Sequence, residues 1–431
     1  MTYAAALEFL YGLQKHGVKL GLERILALLR RLGNPQRRFA ALHVGGTNGK
    51  GSTAAMAASI LQAAGFRVGL YTSPHLVAFN ERIRVNGVVV TDEEIIELTE
   101  RVSQMVDTTL ETTFFECTTA MAFQYFAGQQ VDIAVVEVGM GGRFDATNVI
   151  MPVASAITTV ALDHQAYLGE TVGAIAFEKA GIIKPGIPVV AGRLNPEALA
   201  VIQETATMRR APLYCLADAF RAEGESGDRF RYAGMSRTWE DLPSPLAGLH
   251  QLDNAACALA MLELVSDRGW PISEESVREG LGGVKWEGRL EVIERKPLVV
   301  LDGAHNPDAG RVVADYLTRY RADHRGSRII VVLSMMRDKD QRGFLQSILP
   351  AVDELILTRV QLDRAATVQE LREAAAGSKG TIHESPSSSD ALSLARRLAS
   401  PDDLICVTGS LMLVGEVKAL VRGCVLSSLR G

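Results

Sequence analysis

The sequence predicts an α/β protein of mostly parallel sheets with helices on both faces, in a large first domain (1–293) and a smaller second domain (294–431). Three observations carry this. Apolar, β-branched runs recur along the 431 residues, each followed by a Gly/Asn/Asp-rich turn and then a helical pattern. Continuous apolar strands alternating with helices belong to parallel sheets covered on both faces. A turn-rich stretch, Gly282-Gly283-Val284-Lys285-Trp286-Glu287-Gly288-Arg289, then precedes a fresh series of strands. Length alone, at roughly 150 residues per domain, allows two or three domains.

Strands are expected at 41–44, 67–71, 133–138, 154–160 and 188–191, then at 298–302, 328–333, 354–358 and 404–408. The second series holds enough strand–helix units for a small doubly wound, Rossmann-like domain. Ser385–Asp390 reads as a short polar loop. In such sheets ligands gather at the carboxyl ends of the strands, and every motif below follows a strand or begins a helix after one.

Hydrophobic residues make up 47% and charged residues 22%, which is ordinary globular usage. With 45 basic against 50 acidic residues the net charge is −5, which argues against coating nucleic acid. Apolar runs fall short of the roughly 18–20 residues a bilayer span needs. The N-terminus has no basic region followed by an apolar stretch, so no signal peptide is expected. Five dispersed cysteines without a CxxC fit a reducing compartment, and the cytoplasm is the expected location.

After the first strand comes Gly45-Gly46-Thr47-Asn48-Gly49-Lys50-Gly51-Ser52-Thr53, then an alanine-rich helix, Ala54 to Ala64, ended by Gly65 as a left-handed cap. Small residues let backbone N–H groups turn towards phosphate oxygens, the helix N-terminus adds positive potential, and Lys50 adds a full charge. The first domain therefore reads as P-loop-type. The pattern is not the standard one: position 44 is Val, and Gly51 separates Lys50 from Ser52.

The strand at 133–138 places Glu137 in an apolar setting before Gly139-Met140-Gly141-Gly142-Arg143-Phe144-Asp145. A lone buried carboxylate costs several kcal/mol unless paired or bound to a cation, so Glu137 is a natural Mg²⁺ ligand facing the phosphate loop. His164 follows the next strand beside Asp163 and is a candidate ligand; His16, His324 and His383 read as ordinary surface or core histidines. Lys179, flanked by Ala176, Ala180 and Ile183, reads as a partly buried lysine with a depressed pKa, open to either a structural role or carbamylation. Ser73-Pro74 starts a turn after the second strand, and the polar residues around Asn254 open a helix that they could cap. Arg289, at the domain junction, can reach phosphates across a cleft with its planar fork.

Gly46-Thr47-Asn48-Gly49-Lys50-Gly51-Ser52 resembles the phosphate loop of folylpolyglutamate and dihydrofolate synthases, relatives of the Mur ligases. Further motifs follow in that family's order from about residue 19 to 416, among them Glu178-Lys179-Ala180-Gly181-Ile182, Asp302-Gly303-Ala304-His305-Asn306 and Asp338-Lys339-Asp340. The resemblance implies an ATP-dependent amide ligase that adds L-glutamate to dihydropteroate, to reduced folates, or to both, through an acyl phosphate. It implies ATP binding by Thr47, Asn48, Gly49, Lys50, Gly51, Ser52, Asn254, Arg289 and Asp302. Mg²⁺ would be held by Ser73, Glu137 and His164, supported by a carbamylated Lys179, with a monovalent cation as an open accessory. Lys50, Lys179 and His305 would be catalytic. Gly21, Leu22, Arg82, Thr119, Arg143 and Asp145 would face the pteroate, with the segment from Ser73 to Arg82 a mobile loop. The implied partners are small molecules only, and the implied state is a monomer. Three departures stand out: Phe177 and Glu287 replace the family's usual arginine and proline, and Ser334-Met335-Met336 lacks its usual glycine. Two alternatives are a Mur-type peptide ligase, disfavoured by Gly51 and the Asp-Gly-Ala-His-Asn motif, and a nucleotide-dependent switch, which would hydrolyse ATP without glutamate.

Overall fold

A computed structural model describes residues 1–17, 19–107, 110–224 and 229–426, with the side chain of His16 outside the described set. The first sheet consists of β1 (Ala40–Gly45), β2 (Val68–Tyr71), β3 (Ile83–Val85), β4 (Val88–Val89), β5 (Ile133–Glu137), β6 (Ala154–Thr159), β7 (Val189–Arg193) and β8 (Leu213–Cys215). Their spatial order is β4-β3-β2-β5-β1-β6-β7-β8. The six strands from β2 to β8 in that order pair parallel, and β3 and β4 close one edge as antiparallel strands.

Side chains alternate across a strand, so β5 feeds two cores. Ile133 and Val135 pack under the helices Lys50–Ala63, His250–Ser266 and Glu274–Gly283. Ala134 and Val136 pack under the helices Tyr3–Gly12 and Phe114–Gly128. The two-sided covering explains why the strands read as unbroken apolar runs. A small antiparallel sheet, absent from the sequence reading, is formed by β9 (Arg221–Glu223), β10 (Arg229–Ala233) and β11 (Thr238–Pro243). Its strands are short and alternate exposed with buried positions, so no apolar run marks them.

The second sheet comprises β12 (Glu291–Arg295), β13 (Leu298–Leu301), β14 (Ile329–Leu333), β15 (Glu354–Leu357), β16 (Thr381–Glu384) and β17 (Leu404–Thr408). The order is β12-β13-β17-β14-β15-β16, parallel except for β12. Because β12 pairs with β13, this sheet starts at Glu291. The nine expected strands all form. Two local readings need correction. The first long helix starts at Lys50 rather than Ala54. Ser385–Asp390 is not all loop, because Ser387 caps a helix, Ser388–Leu398, by accepting from the Asp390 N–H at 3.1 Å.

The segment after β2 links the two halves. Leu76 and Val77 leave the first domain and bury in the second domain's core with Met412, Val414 and Val417. The Glu81 carboxylate folds the segment by accepting from the N–H groups of Leu76, Val77 and Ala78 at 2.7, 2.9 and 2.8 Å. The Glu81 hydrogen bonds and the burial of Leu76 and Val77 anchor this segment to both domains. Among the described residues, no helix is long and apolar enough to cross a membrane.

Truncating Leu76 to alanine should leave a cavity between the domains and cost about 2–4 kcal/mol. Denaturant unfolding checks this; a loss within experimental error would mean the segment is not seated in the second core.

Candidate active site

β1 delivers the chain to Gly46, whose φ of +143° only glycine takes comfortably. A Cβ there would lie 2.1 Å from Thr158 Oγ1. Thr47 N–H donates to the Thr159 carbonyl at 2.7 Å and Asn48 N–H to Thr159 Oγ1 at 2.9 Å, so β6 braces the loop. Gly49, at φ +85°, turns the chain into the helix Lys50–Ala63. A Cβ on Gly51 would sit 3.0 Å from the Trp286 ring. The residue that separates this loop from the standard pattern is therefore the one on which the domain junction packs.

Two ammonium groups converge on one carbonyl oxygen. Lys50 Nζ donates to Gly46 O at 3.1 Å and to Thr47 O at 3.0 Å. Lys179 Nζ, from the helix Val172–Ala180, donates to Gly46 O at 2.9 Å and is 3% exposed. Burial, then the nearby Lys50 charge, pushes the Lys179 pKa down to about 7. Burial lowers Lys50 as well.

At the end of β5, Glu137 is 5% exposed and accepts the Ser73 N–H at 3.0 Å. Burial raises its pKa, against the pull of Lys50, the Ser73 N–H and Arg289. An ionised carboxylate offers about four acceptor sites, which leaves room for a cation. His164, in the left-handed region at φ +51°, has its pKa lowered to about 4 by burial and by Lys339, so its imidazole is neutral. Asp163 pairs across the domains with Lys339 at 2.6 Å, both side chains 8% exposed. Burial alone would raise the Asp163 carboxyl, but the His305 hydrogen bond and the Lys339 charge hold it well below the usual carboxylate range. This interdomain pair joins Asp163, which the sequence reading named only as a neighbour of His164, to Lys339 of the Asp338-Lys339-Asp340 motif.

Among the described residues there is no cluster of three or more His, Cys, Asp and Glu side chains placed to hold a metal. A Mg²⁺ ion takes one or two carboxylates and completes its shell with phosphate and water. Glu137, a buried carboxylate with acceptor sites beyond the one taken by the Ser73 N–H, fits the role of such a carboxylate.

The second domain supplies the facing wall. The Asp302 carboxylate, at the end of β13, accepts Ala304 N–H at 2.8 Å and Leu290 N–H at 2.9 Å. His305 Nδ1 lies 2.8 Å from the Gly303 carbonyl, and its Nε2 lies 3.6 Å from Asp163. Asn254 sits inside the helix His250–Ser266, not at its cap, and its amide donates to Gln251 Oε1 at 2.9 Å. Between the walls lies a cavity of about 840 Å³, lined by Thr47, Asn48, Gly49, Lys50, Gly51, Ser52, Ser73, Glu137, His164, Lys179, Asn254, Arg289, Asp302 and His305.

The six expected pteroate-side residues do not line that cavity. Thr119 is fully buried, its hydroxyl 3.2 Å from that of Tyr71. Arg82 is buried, donates to His75 Nδ1 at 2.9 Å and lies over the rings of Phe79 and Phe114. Asp145 accepts the N–H groups of Met140 and Thr147 at 2.9 and 3.0 Å and so shapes the loop after β5. Arg143 pairs with Glu178 at 2.6 Å, and its guanidinium lies 4.3 Å from the Phe144 centroid and 5.0 Å from that of Phe177. Phe177 therefore steadies Arg143 through its ring. Gly21, at φ +117°, and Leu22 precede the helix Glu23–Arg31. Of the remaining histidines, His383 bonds Glu354 at 2.8 Å and His324 stacks on Tyr320.

Residues 44–262 match the family described as the Mur ligase middle domain, and residues 288–411 match the Mur ligase, glutamate ligase domain. The dihydrofolate synthase/folylpolyglutamate synthase of Bacillus subtilis (strain 168) is 38% identical, over 98% of this chain and 99% of that protein. The structure of Escherichia coli FolC in complex with DHPP and ADP superposes with a TM-score of 0.89 at 32% identity, covering 98% of each chain. A bifunctional folylpolyglutamate synthase/dihydrofolate synthase with Mn, AMPPNP and L-glutamate bound gives a TM-score of 0.87 at 33% identity, again over 98% of each chain. At 38% identity over nearly its whole length, and with both Mur ligase domains matched, the chain belongs to the folylpolyglutamate/dihydrofolate synthase family of Mur-type ligases.

Proposed function

We propose that this protein joins L-glutamate to dihydropteroate and to reduced folates, using ATP, and that the residues around the interdomain cavity divide the work as follows. The observation that carries the reading is the cavity itself: a phosphate loop, two lysines and a buried carboxylate on one wall face an arginine, an aspartate and a histidine on the other. The substrate carboxylate attacks the γ-phosphorus of ATP, giving an acyl phosphate and ADP. The glutamate amine then attacks the acyl carbon, and phosphate leaves with one of the original carboxylate oxygens.

The first step brings two anions together, so it depends on placement and charge neutralisation. The N–H groups from Thr47 to Ser52 and Lys50 hold the phosphates from the first domain, with Asn254 beside them; Arg289, at the domain junction, and Asp302, in the second domain, meet the nucleotide from across the cavity. Glu137, Ser73 and His164 would hold Mg²⁺, which would supply charge neutralisation for the first step. Lys179, carbamylated by CO₂ on its neutral amine, contributes an anion on that side. His305 stands beside the reacting groups, and the proton that the amine loses leaves with the phosphate. Arg82, Thr119, Arg143, Asp145, Gly21 and Leu22 shape the pteroate side, the first four through the contacts described above. Closure of the second domain excludes water, which would hydrolyse an acyl phosphate. The protein acts as a monomer in the cytoplasm.

Phosphate release with dihydropteroate or with tetrahydrofolate should require L-glutamate in both cases. Release that ignores glutamate would refute ligation and favour a switch. Lys50→Ala should lower kcat by a factor on the order of 10²–10³, as expected for loss of one preorganised charge donor; an unchanged rate would remove Lys50 from the chemistry.

Lys179 also makes a pH prediction. Its pKa is about 7 in the folded protein against 10.5 for an ordinary lysine. Between those values the unfolded chain binds more protons, so this residue makes folding stability rise with pH. In CO₂-free buffer the parent protein should gain more stability from pH 7 to 9 than Lys179→Met; parallel profiles would contradict the depressed pKa. Added bicarbonate should raise activity more at pH 8 than at pH 6.5, because only the neutral amine reacts.

A further inference from the structure

The junction between the domains contains a charged clamp that the reaction scheme does not use. Lys418, in the helix Leu411–Arg422 of the second domain, is 3% exposed. Its ammonium lies 2.5 and 2.7 Å from the two Glu291 carboxylate oxygens and 3.1 Å from Glu287. Arg422, one turn on, holds Glu287 from the other side. Burial would raise the Glu287 carboxyl, but Lys418 and Arg422 hold it below the usual range. Glu287 and Glu291 bracket Arg289 by two residues on each side.

The backbone between them is fixed at several points. Gly288 N–H donates to Glu291 Oε2 at 2.7 Å, and Gly303 N–H donates to the Gly288 carbonyl at 2.9 Å. Leu290 N–H donates to Asp302. Gly288 and Leu290 both take left-handed φ values, +68° and +46°, on either side of Arg289, which lines the cavity. A left-handed leucine persists only where its surroundings over-determine it. The Arg289 guanidinium lies so close to Gly303 that a Cβ there would be 2.8 Å from Nη1. On the first-domain side, Trp286 lies against Gly51 of the phosphate loop and under Arg84, whose guanidinium is 5.7 Å from the ring centroid.

We propose that Lys418 is a positioning residue for Arg289: by clamping Glu287 and Glu291 it holds the turn that aims the arginine into the cavity. Glu287, where the family resemblance leads one to expect proline, is then part of this chain's own way of fixing the junction. A proline would restrict the turn through its ring; here two carboxylates and a buried lysine restrict it through charge. The inference rests on the proposed role of Arg289 at the phosphates.

A double-mutant cycle on kcat for glutamate-dependent ADP formation tests it. Lys418→Met should lower kcat by about tenfold or more while KM for the folate substrate stays within about twofold, because the clamp acts on the arginine and not on the pteroate side. Lys418→Arg, which keeps the charge, should recover most of the rate. In an Arg289→Ala background, Lys418→Met should cost nothing further. If the two losses multiply, or if Lys418→Met folds and keeps the parent kcat, the positioning role is wrong. If Arg289→Ala by itself leaves kcat unchanged, the role of Arg289 fails, and the inference fails with it. Should Lys418→Met not fold, Glu291→Gln carries the same cycle, since it leaves Lys418 paired with Glu287.

Discussion

Two lysines on one carbonyl oxygen set the terms for this site. Lys50 and Lys179 reach Gly46 O from different helices, at 3.1 and 2.9 Å. Their positive charges repel one another in a place with little water, and the interaction between them is one cause of the lowered Lys179 pKa. An arrangement of this kind is stabilised by anions. Fixed acidic groups act on both: Glu137 and Asp163 on Lys50, Asp163 and Asp145 on Lys179. The others arrive with the reaction: the ATP phosphates, the substrate carboxylate and the carbamate that a neutral Lys179 can form. The glycine at position 46 is part of the same constraint, because its φ value and the absence of a Cβ place its carbonyl where both lysines converge.

The second domain answers this charge from across the cavity. It brings Asp302 and His305, Arg289 stands at the junction, and Lys339 reaches back to Asp163. Its hold on the first domain is partly apolar, through Leu76 and Val77, and partly electrostatic, through the Asp163–Lys339 pair. A buried ion pair has a desolvation cost comparable to its attraction. Its value here is in fixing where the two walls meet rather than in net stability.

The strands and the phosphate loop were legible in the sequence because their signals are local. An apolar run on a parallel strand, a glycine where the backbone must turn, and a lysine at a helix start each lie within a few residues. The burial of Lys179 was legible too, from the small and apolar residues on its helix. What escaped was set by long-range contact. The sheet β9–β11 has short strands with mixed exposure, and nothing in Arg221–Glu223 announces a partner at Arg229–Ala233. The pairing of Asp163 with Lys339, 176 residues apart, has no local signature. Asn254 looked like a cap because its neighbours are polar, yet the helix begins four residues earlier. The segment from Ser73 to Arg82 read only as a turn started by Ser73-Pro74, and only the second domain's core shows why Leu76 and Val77 are in it.

The central claim is that the cavity activates a carboxylate as an acyl phosphate before an amine attacks it. Dihydropteroate labelled with ¹⁸O in its carboxylate, incubated with ATP and L-glutamate, tests this most directly. The scheme predicts that the phosphate released carries label from the carboxylate as the amide forms. Amide formation with unlabelled phosphate would contradict it.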